Sequence, residues 1–234
     1  MKSKNTKNNT ATDHKCDFCG RFFIHESGLL KHLCETKRRW LNKDMQGNRI
    51  GFSAWVQFYS KHSRKAKKDY MDFAKSAYYT AFVKFGNYCS EVNVLNPSRY
   101  VDWLLKEQIS IDTWNRDTNY NRFLLEYLKN EDPLDAIARS IETTVSLSAL
   151  DKIPTKDVLR YGNRNRICYE ITKGKISPWM LYQSDSGLEF IEHLDATQQK
   201  MILEYINPEQ WAIKFKRSKN IIPEVKELLK AAGY

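Results

Sequence analysis

Three cysteines and a histidine near the start of the chain constrain its fold more than any other feature. The stretch CDFCGRFFIHESGLLKHLC begins at Cys16 and ends at Cys34. Cys16 and Cys19 are separated by two residues, the spacing of a tight turn that presents two thiolates to one metal ion. His32 follows after twelve more residues, enough to cross a hairpin and run along a short helix. So short a stretch cannot bury a core, so we expect a bound metal ion to supply its folding free energy.

The order of these residues resembles the ββα zinc finger. In that family, Phe follows the second Cys, and Leu and then His follow the Phe at fixed spacings. Phe23 and Leu29 occupy the Phe and Leu positions of this chain. The resemblance covers residues 14–36 and implies a two-stranded hairpin, a helix and a structural zinc ion. It also implies the ligand set, which is Cys16, Cys19, His32 and Cys34.

The fourth ligand departs from the family pattern. The finger usually places a second His three to five residues after the first, whereas Cys34 comes only two residues after His32. Residues two apart on an α-helix point in different directions, so we expect the helix to tighten or break at Leu33. His25 and His14 are spare imidazoles nearby, and His25 in particular remains an alternative fourth ligand.

The same resemblance implies which helix positions would meet nucleic acid bases. They correspond here to His25, Gly28 and Lys31, and Gly28 has no side chain to offer. A single finger with one good donor cannot specify a sequence, so we expect any binding to be largely nonspecific and to involve phosphate.

Positive charge is concentrated in the first third of the chain. Residues 1–68 carry sixteen Lys and Arg against five Asp and Glu, whereas residues 69–234 carry twenty-two against twenty-three. Such asymmetry indicates a surface that faces a polyanion, with DNA preferred to RNA, although a solvated and solubilising N-terminus is the alternative. The residues predicted to contact nucleic acid are Lys31, Lys37, Arg38, Arg39, Arg64, Lys65, Lys67 and Lys68.

The rest of the chain is predicted to be an all-α body. Apolar residues recur at helical spacing between Asp69 and Cys89, and we expect that aromatic stripe to be core. The predicted organisation is a disordered tail at 1–13, a zinc finger with a basic extension at 14–40, a linker at 41–51 and a helical domain at 52–234. Further helices are predicted at 52–60, 97–107, 117–130, 133–148, 155–173, 187–194, 196–206 and 223–232.

No catalytic arrangement is recognisable. The sequence has no phosphate-binding Gly loop and no nucleophile elbow. Glu189 and His193 are four residues apart, but we interpret them as a solvated helix face. No apolar run is long enough to span a bilayer, and the N-terminus does not resemble a secretory signal. We therefore expect a non-enzymatic cytoplasmic protein with reduced thiols, without membrane contact or a small-molecule substrate.

These observations favour a nucleic-acid-binding accessory or regulatory protein whose helical body binds a protein partner. The alternative is a protein-interaction or assembly factor in which the finger only stabilises the fold, as a structural staple. The Lys-, Asn- and Tyr-rich composition, the single finger and the helical body are similar to uncharacterised proteins of large tailed bacteriophages. That similarity implies a viral protein that acts in the host cytoplasm.

Overall fold

A computed structural model describes residues 14–62 and 69–234 of the chain. It divides into two compact units, with the boundary between Asn115 and Arg116. The predicted tail at 1–13 lies outside the described residues. The described part is an all-α body preceded by one small two-stranded sheet, which confirms the predicted fold class.

The first unit contains the sheet and six helices within the described residues. Its strands are β1 (His14–Lys15) and β2 (Phe22–Phe23), which pair antiparallel. Its helices are α1 (Glu26–Lys31), α2 (Glu35–Leu41), α3 (Gln46–His62), α4 (Tyr70–Lys75), α5 (Tyr79–Val92) and α6 (Pro97–Lys106), followed by a 3₁₀ turn at Ile111–Thr113.

An aromatic core holds the helices of the first unit together. Phe73, Phe82 and Phe85 are at most 1% exposed, as the helical spacing of that stripe predicted. The ring of Trp114 meets the ring of Phe82 edge-on, with 5.7 Å between their centroids. Cys89 is also buried, so its thiol is packing material. Packed aromatic pairs of this kind stabilise a core beyond the area that they bury.

The predicted linker is wrong for residues 46–51, because they form the first turns of α3. Gly47 and Gly51, which fall in the predicted linker, are instead contact points between helices. A Cβ atom on Gly86 of α5 would lie 1.9 Å from the carbonyl oxygen of Gly47, and one on Gly51 would lie 2.6 Å from that of Phe82. Glycine is therefore required for α3 and α5 to pack backbone against backbone.

The continuous helix expected from Asp69 to Cys89 is interrupted between α4 and α5. Ser76 ends α4 in an extended conformation, with ψ of 139°. Its hydroxyl accepts a hydrogen bond from the backbone N–H of Tyr78 at 3.1 Å. This local bond replaces a helical one, which is how Ser competes with helix continuation.

The second unit consists of helices and has its own core. Its helices are α7 (Asp117–Asn130), α8 (Pro133–Asp151), α9 (Val158–Tyr161), α10 (Arg164–Thr172), α11 (Pro178–Gln183), α12 (Asp185–Glu192), α13 (Ala196–Ile206), α14 (Pro208–Arg217) and α15 (Ile222–Ala231), with a 3₁₀ turn at Thr155–Asp157. Trp179 is fully buried, and Trp211 is 2% exposed. The indole N–H of Trp211 donates to the carbonyl oxygen of Tyr205 at 2.9 Å, which satisfies its one polar atom.

The predicted helix at 155–173 is divided at Gly162. A Cβ atom on Gly162 would lie 2.4 Å from the carbonyl oxygen of Val158, so the chain makes a close turn there that glycine permits. Asn163 then begins α10 by accepting a hydrogen bond from the backbone N–H of Arg166. A Gly followed by a capping Asn is a typical helix boundary.

Candidate metal centre

The hairpin presents Cys16 and Cys19 on one tight turn. The backbone N–H of Cys16 donates to the carbonyl oxygen of Arg21 at 2.9 Å, and that of Gly20 donates to Cys16 at 2.7 Å. Gly20 has a φ of 74°, a conformation that glycine adopts without steric cost. A hydrogen bond from the backbone N–H of Cys19 lowers the pKa of the Cys16 thiol, which favours the thiolate form.

The first helix presents His32 to the same point. Helix α1 begins at Glu26, so the His25, Gly28 and Lys31 positions keep the register that the family resemblance implies. The ring of Phe23 packs on that of His32, with 4.7 Å between centroids. A Cβ atom on Gly28 would lie 3.4 Å from the Phe23 ring. Phe23 is therefore the packing element between hairpin and helix.

The helix breaks before Cys34, as the two-residue spacing predicted. Helix α1 ends at Lys31, and His32 and Cys34 have extended ψ angles of 120° and 165°. Cys34 then acts as the N-cap of α2, where its Sγ accepts a hydrogen bond from the backbone N–H of Lys37 at 3.4 Å. One residue therefore serves as a potential metal ligand and as the start of the next helix.

These four side chains form a candidate metal site. The ligand atoms of Cys16, Cys19, His32 and Cys34 all lie within 4.8 Å of one another. The Sγ atoms of Cys16 and Cys34 are 4.0 Å apart, and Cys19 Sγ is 3.2 Å from Nε2 of His32. Tetrahedral bonds of about 2.3 Å place two sulfur ligands about 3.8 Å apart. The cluster therefore matches the size and donor chemistry of a zinc site.

The alternative fourth ligand is not part of this cluster. His25 is exposed just before α1, and His14 lies in β1. Neither belongs to the group of ligand atoms that converge within the described residues. The geometry therefore favours Cys34 over His25.

The metal centre has cations beside it. Three thiolates and a neutral imidazole around a divalent ion leave one net negative charge, since cysteine ligands bind deprotonated. Lys15 and Lys75 line a cavity together with Cys16 and Cys19. The ammonium of Lys37 donates to the carbonyl oxygen of His32 at 3.2 Å. Part of the local positive charge therefore offsets the charge of the thiolates.

Helix α2 joins the metal centre to the helical body of the first unit. The guanidinium of Arg39 donates to the carbonyl oxygens of Ala74 and Ser76, at 2.9 and 3.4 Å. It also pairs with Glu35 and lies 4.4 Å from the centre of the Tyr79 ring. The bond to Ala74 satisfies a carbonyl in the last turn of α4 that has no helical partner. The Ser76 carbonyl also accepts from the backbone N–H of Tyr79 at 3.2 Å.

The residue after Arg39 also packs the finger against the helical body of the first unit. Trp40 packs on Phe18 of the finger and on Tyr70 of α4, with centroid distances of 6.2 and 5.8 Å. The hydroxyl of Tyr70 donates to the carbonyl oxygen of Arg39 at 3.3 Å. The finger is therefore packed against the body, not tethered by a linker.

The residues predicted to contact nucleic acid differ in how exposed they are. Lys31 and Arg38 are exposed, and Lys37 is half-buried beside the metal centre. Arg39 is only 19% exposed, and its guanidinium is bonded to the body and paired with Glu35. Arg64, Lys65, Lys67 and Lys68 lie outside the described residues.

Sequence reasoning missed two features of this region. Lys75 reaches the cavity at the Cys turn although it is far away along the chain, and no local pattern signals such a contact. Several large apolar side chains of the finger are also exposed. Ile24 is 84% exposed, Leu30 72% and Leu33 60%. The sequence alone does not show whether a hydrophobic residue in a short finger is buried or exposed.

Comparisons with known proteins give no relatives. No protein family, curated protein or solved structure matches the chain. In the part of the chain that the structure describes, no helix is both long and apolar enough to cross a membrane.

Proposed function

We propose that Cys16, Cys19, His32 and Cys34 bind one structural zinc ion and that the protein binds DNA through phosphate contacts beside it. The single observation that carries this proposal is the exposure of Lys31 and Arg38 on the two helices that flank the metal centre. They lie in the region that holds the whole positive charge excess of the chain. Exposed cations of this kind release counterions when they neutralise phosphates.

The zinc ion in this proposal is structural. Four protein ligands fill a tetrahedral coordination sphere and leave no position for a substrate. The protein is therefore an accessory or regulatory binding protein, not an enzyme, and its helical body binds a protein partner. Zinc binding requires reduced thiols, so we place it in the cytoplasm, which is a host's cytoplasm if the protein is viral.

Base reading by the finger would be weak. Gly28 offers no side chain, and the other exposed positions of α1 include Glu26 and Leu30. An acidic carboxylate opposes phosphate, and Leu has no hydrogen-bonding group. We therefore expect binding that depends on salt more than on sequence.

The test is fluorescence anisotropy with labelled duplex DNA over a range of salt concentrations. We expect micromolar affinity at low salt and a log–log salt slope of about −3 to −4, which corresponds to about four phosphates. A Lys31→Ala, Arg38→Ala double variant should weaken binding by about tenfold or more. The matched control is Lys200→Ala, Lys230→Ala, which removes two exposed cations from the second unit. Equal losses in both double variants would contradict the proposed surface.

The second candidate function is a protein-interaction or assembly factor with the finger as a staple. The exposed side chains of Ile24, Leu30 and Leu33 favour it, because such apolar groups commonly mark protein interfaces. The absence of DNA binding even at low salt would leave this candidate standing. Partners captured from the native host should then persist after nuclease treatment.

A further inference from the structure

A cleft in the second unit brings together polar side chains from α9, α10 and α12. Its volume is about 170 Å³. The floor is apolar, because Leu159 and Phe190 line the cleft and are each 1% exposed. Its remaining walls are formed by Arg160, Tyr161, Arg164, Glu189 and His193.

The close turn at Gly162 explains why residues of two helices share this cleft. Tyr161 is the last residue of α9, and Arg164 is the first residue of α10. The turn between them is so tight that a Cβ atom on Gly162 would lie 2.4 Å from the Val158 carbonyl oxygen. Tyr161 and Arg164 therefore both line the cleft.

Two guanidinium groups can donate hydrogen bonds in the cleft. Arg160 uses its Nε to bind Glu189 at 2.6 Å, which leaves the two Nη groups of its five-donor fork. Nδ1 of His193 lies 2.7 Å from the backbone carbonyl oxygen of Glu189, so Nδ1 carries the proton and Nε2 of the neutral ring is an acceptor. Arg164 is exposed and makes no ion pair or hydrogen bond through its side chain with any other described residue.

The charge balance of the cleft favours an anion. Glu189 is the acid that lines it, and its carboxylate is already paired with Arg160. Arg164 adds a positive charge that this pair does not offset. Planar guanidinium groups match the geometry of phosphate oxygens.

Tyr161 adds a second kind of recognition. Its side chain is 74% exposed although the adjoining cleft has an apolar floor. An exposed ring beside cations is the arrangement on which nucleic acid bases stack. An inorganic anion would leave this ring without a role.

We propose that this cleft binds a nucleotide, with the phosphate at Arg160 and Arg164 and the base on Tyr161. The inference goes beyond the proposed function of the N-terminal region, and it does not depend on zinc or on Lys31 and Arg38. The nucleotide can be free, or it can be one unit of a single strand, because both offer the same phosphate and base.

The test is equilibrium dialysis of the full-length protein with radiolabelled AMP and, separately, with a labelled thymidine hexanucleotide. We expect millimolar affinity or tighter for AMP, about −4 kcal/mol or better. Tyr161→Ala should weaken binding by about fivefold or more, and Arg164→Gln by about tenfold. The matched controls are Tyr169→Ala and Arg217→Gln, whose side chains are exposed elsewhere in the second unit. They should change the affinity by less than about twofold.

The outcomes separate the sources of the nucleotide and the two proposals. Binding of AMP alone supports a free nucleotide, and binding of both probes with the same variant pattern supports a single strand. The Lys31→Ala, Arg38→Ala variant should bind AMP like the wild type, whether or not duplex binding exists. No binding of AMP at millimolar concentration, equal loss in the controls, or equally effective competition by inorganic phosphate would each overturn the proposal.

Discussion

Arg39 and Ala74 connect the finger that carries the candidate metal site to the helical body of the first unit. The guanidinium of Arg39 donates to the Ala74 carbonyl oxygen at 2.9 Å, across thirty-five residues of sequence. That carbonyl belongs to the last turn of α4, where helical hydrogen bonding ends. Helix α2, which carries Arg39, begins at the potential ligand Cys34. Metal binding and packing of the body are therefore joined by one short helix.

The first prediction concerns Arg39. Arg39→Ala should leave the carbonyl oxygen of Ala74 without its donor and remove the ring contact with Tyr79. The carbonyl oxygen of Ser76 keeps its bond from the backbone N–H of Tyr79. Losing a charge-assisted bond such as that to Ala74 costs about 1–3 kcal/mol. Amide hydrogen exchange in α4 and in the following turn should therefore become about tenfold faster or more. Mass spectrometry of peptides covering residues 70–79 measures it.

The neighbouring Arg38 is the control for this change. Arg38 is exposed, so Arg38→Ala should leave exchange in α4 unchanged. It should instead weaken DNA binding if the proposed function holds. Equal exchange rates in the two variants would show that the Arg39 contacts do not stabilise α4.

The second prediction separates the two roles of Cys34. Both Cys34→Ser and Cys34→Ala should lower zinc content from about one ion per chain, since neither side chain supplies a thiolate. Serine still caps a helix, whereas alanine does not, and the difference is about 1 kcal/mol. In the presence of chelator, hydrogen exchange in α2 should therefore be faster in the Ala variant than in the Ser variant. Atomic emission gives the zinc content.

His25→Ala is the control for ligand identity. His25 is outside the cluster, so this variant should keep its full zinc content. Retention of zinc by Cys34→Ser together with its loss in His25→Ala would make His25 the fourth ligand.

The sequence was most informative where metal coordination or helical periodicity limits the spacing of residues along the chain. The positions of Cys16, Cys19 and His32 predict a metal cluster because a tetrahedral ion tolerates few arrangements. The two-residue step from His32 to Cys34 predicts the break in the helix, because residues two apart on an α-helix point in different directions. The aromatic stripe that includes Phe82 and Phe85 predicts a core because its period is helical.

The sequence was least informative where tertiary contacts determine the local structure or the exposure of a side chain. Gly47 and Gly51 suggested a linker, since glycine weakens an isolated helix. In the structure the missing side chains allow α3 to approach α5, and that packing outweighs the low propensity. Arg39 lies in a run of cations that predicts exposure, but its partners at Ala74 and Ser76 are far away along the chain.

The third prediction tests the close packing of α3 and α5. Gly86→Ala would place a Cβ atom 1.9 Å from the carbonyl oxygen of Gly47, and backbone cannot move aside as a side chain can. Overpacking of this kind costs about 1–3 kcal/mol or more. We expect a lower melting temperature for the first unit, which circular dichroism measures.

Gly28→Ala provides the matched glycine substitution. A Cβ atom there would be 3.4 Å from the Phe23 ring, an ordinary contact, and alanine favours helix over glycine by about 1 kcal/mol. This variant should keep zinc and should not lower stability. A Gly86→Ala protein as stable as the wild type would contradict the backbone packing of α3 on α5.

The fourth prediction concerns a buried ion pair in the second unit. The guanidinium of Arg139 donates to both carboxylate oxygens of Glu131, at 2.7 and 2.9 Å. The side chain of Glu131 is 1% exposed, and burial raises the pKa of its carboxyl despite the opposing effect of Arg139. Arg139→Met should remove that opposing effect and leave a buried charge without its partner. Breaking a buried pair in this way costs about 3–5 kcal/mol near neutral pH.

The pH dependence of this loss identifies its cause. Without Arg139, the pKa of Glu131 in the folded state should rise further above its value in the unfolded chain. The folded state then binds the proton more tightly, so the cost is fully present above the raised pKa. It should shrink as the pH falls through that pKa, because protonation removes the buried charge. The measurement is urea unfolding from neutral to mildly acidic pH. It compares the free energy of unfolding of the wild type with that of Arg139→Met and of the double variant Arg139→Met, Glu131→Gln. The double variant has no carboxylate, so its difference from the wild type should change less with pH. A stability loss in Arg139→Met that stays constant with pH would show that lost packing, not an unpaired charge, destabilises the variant.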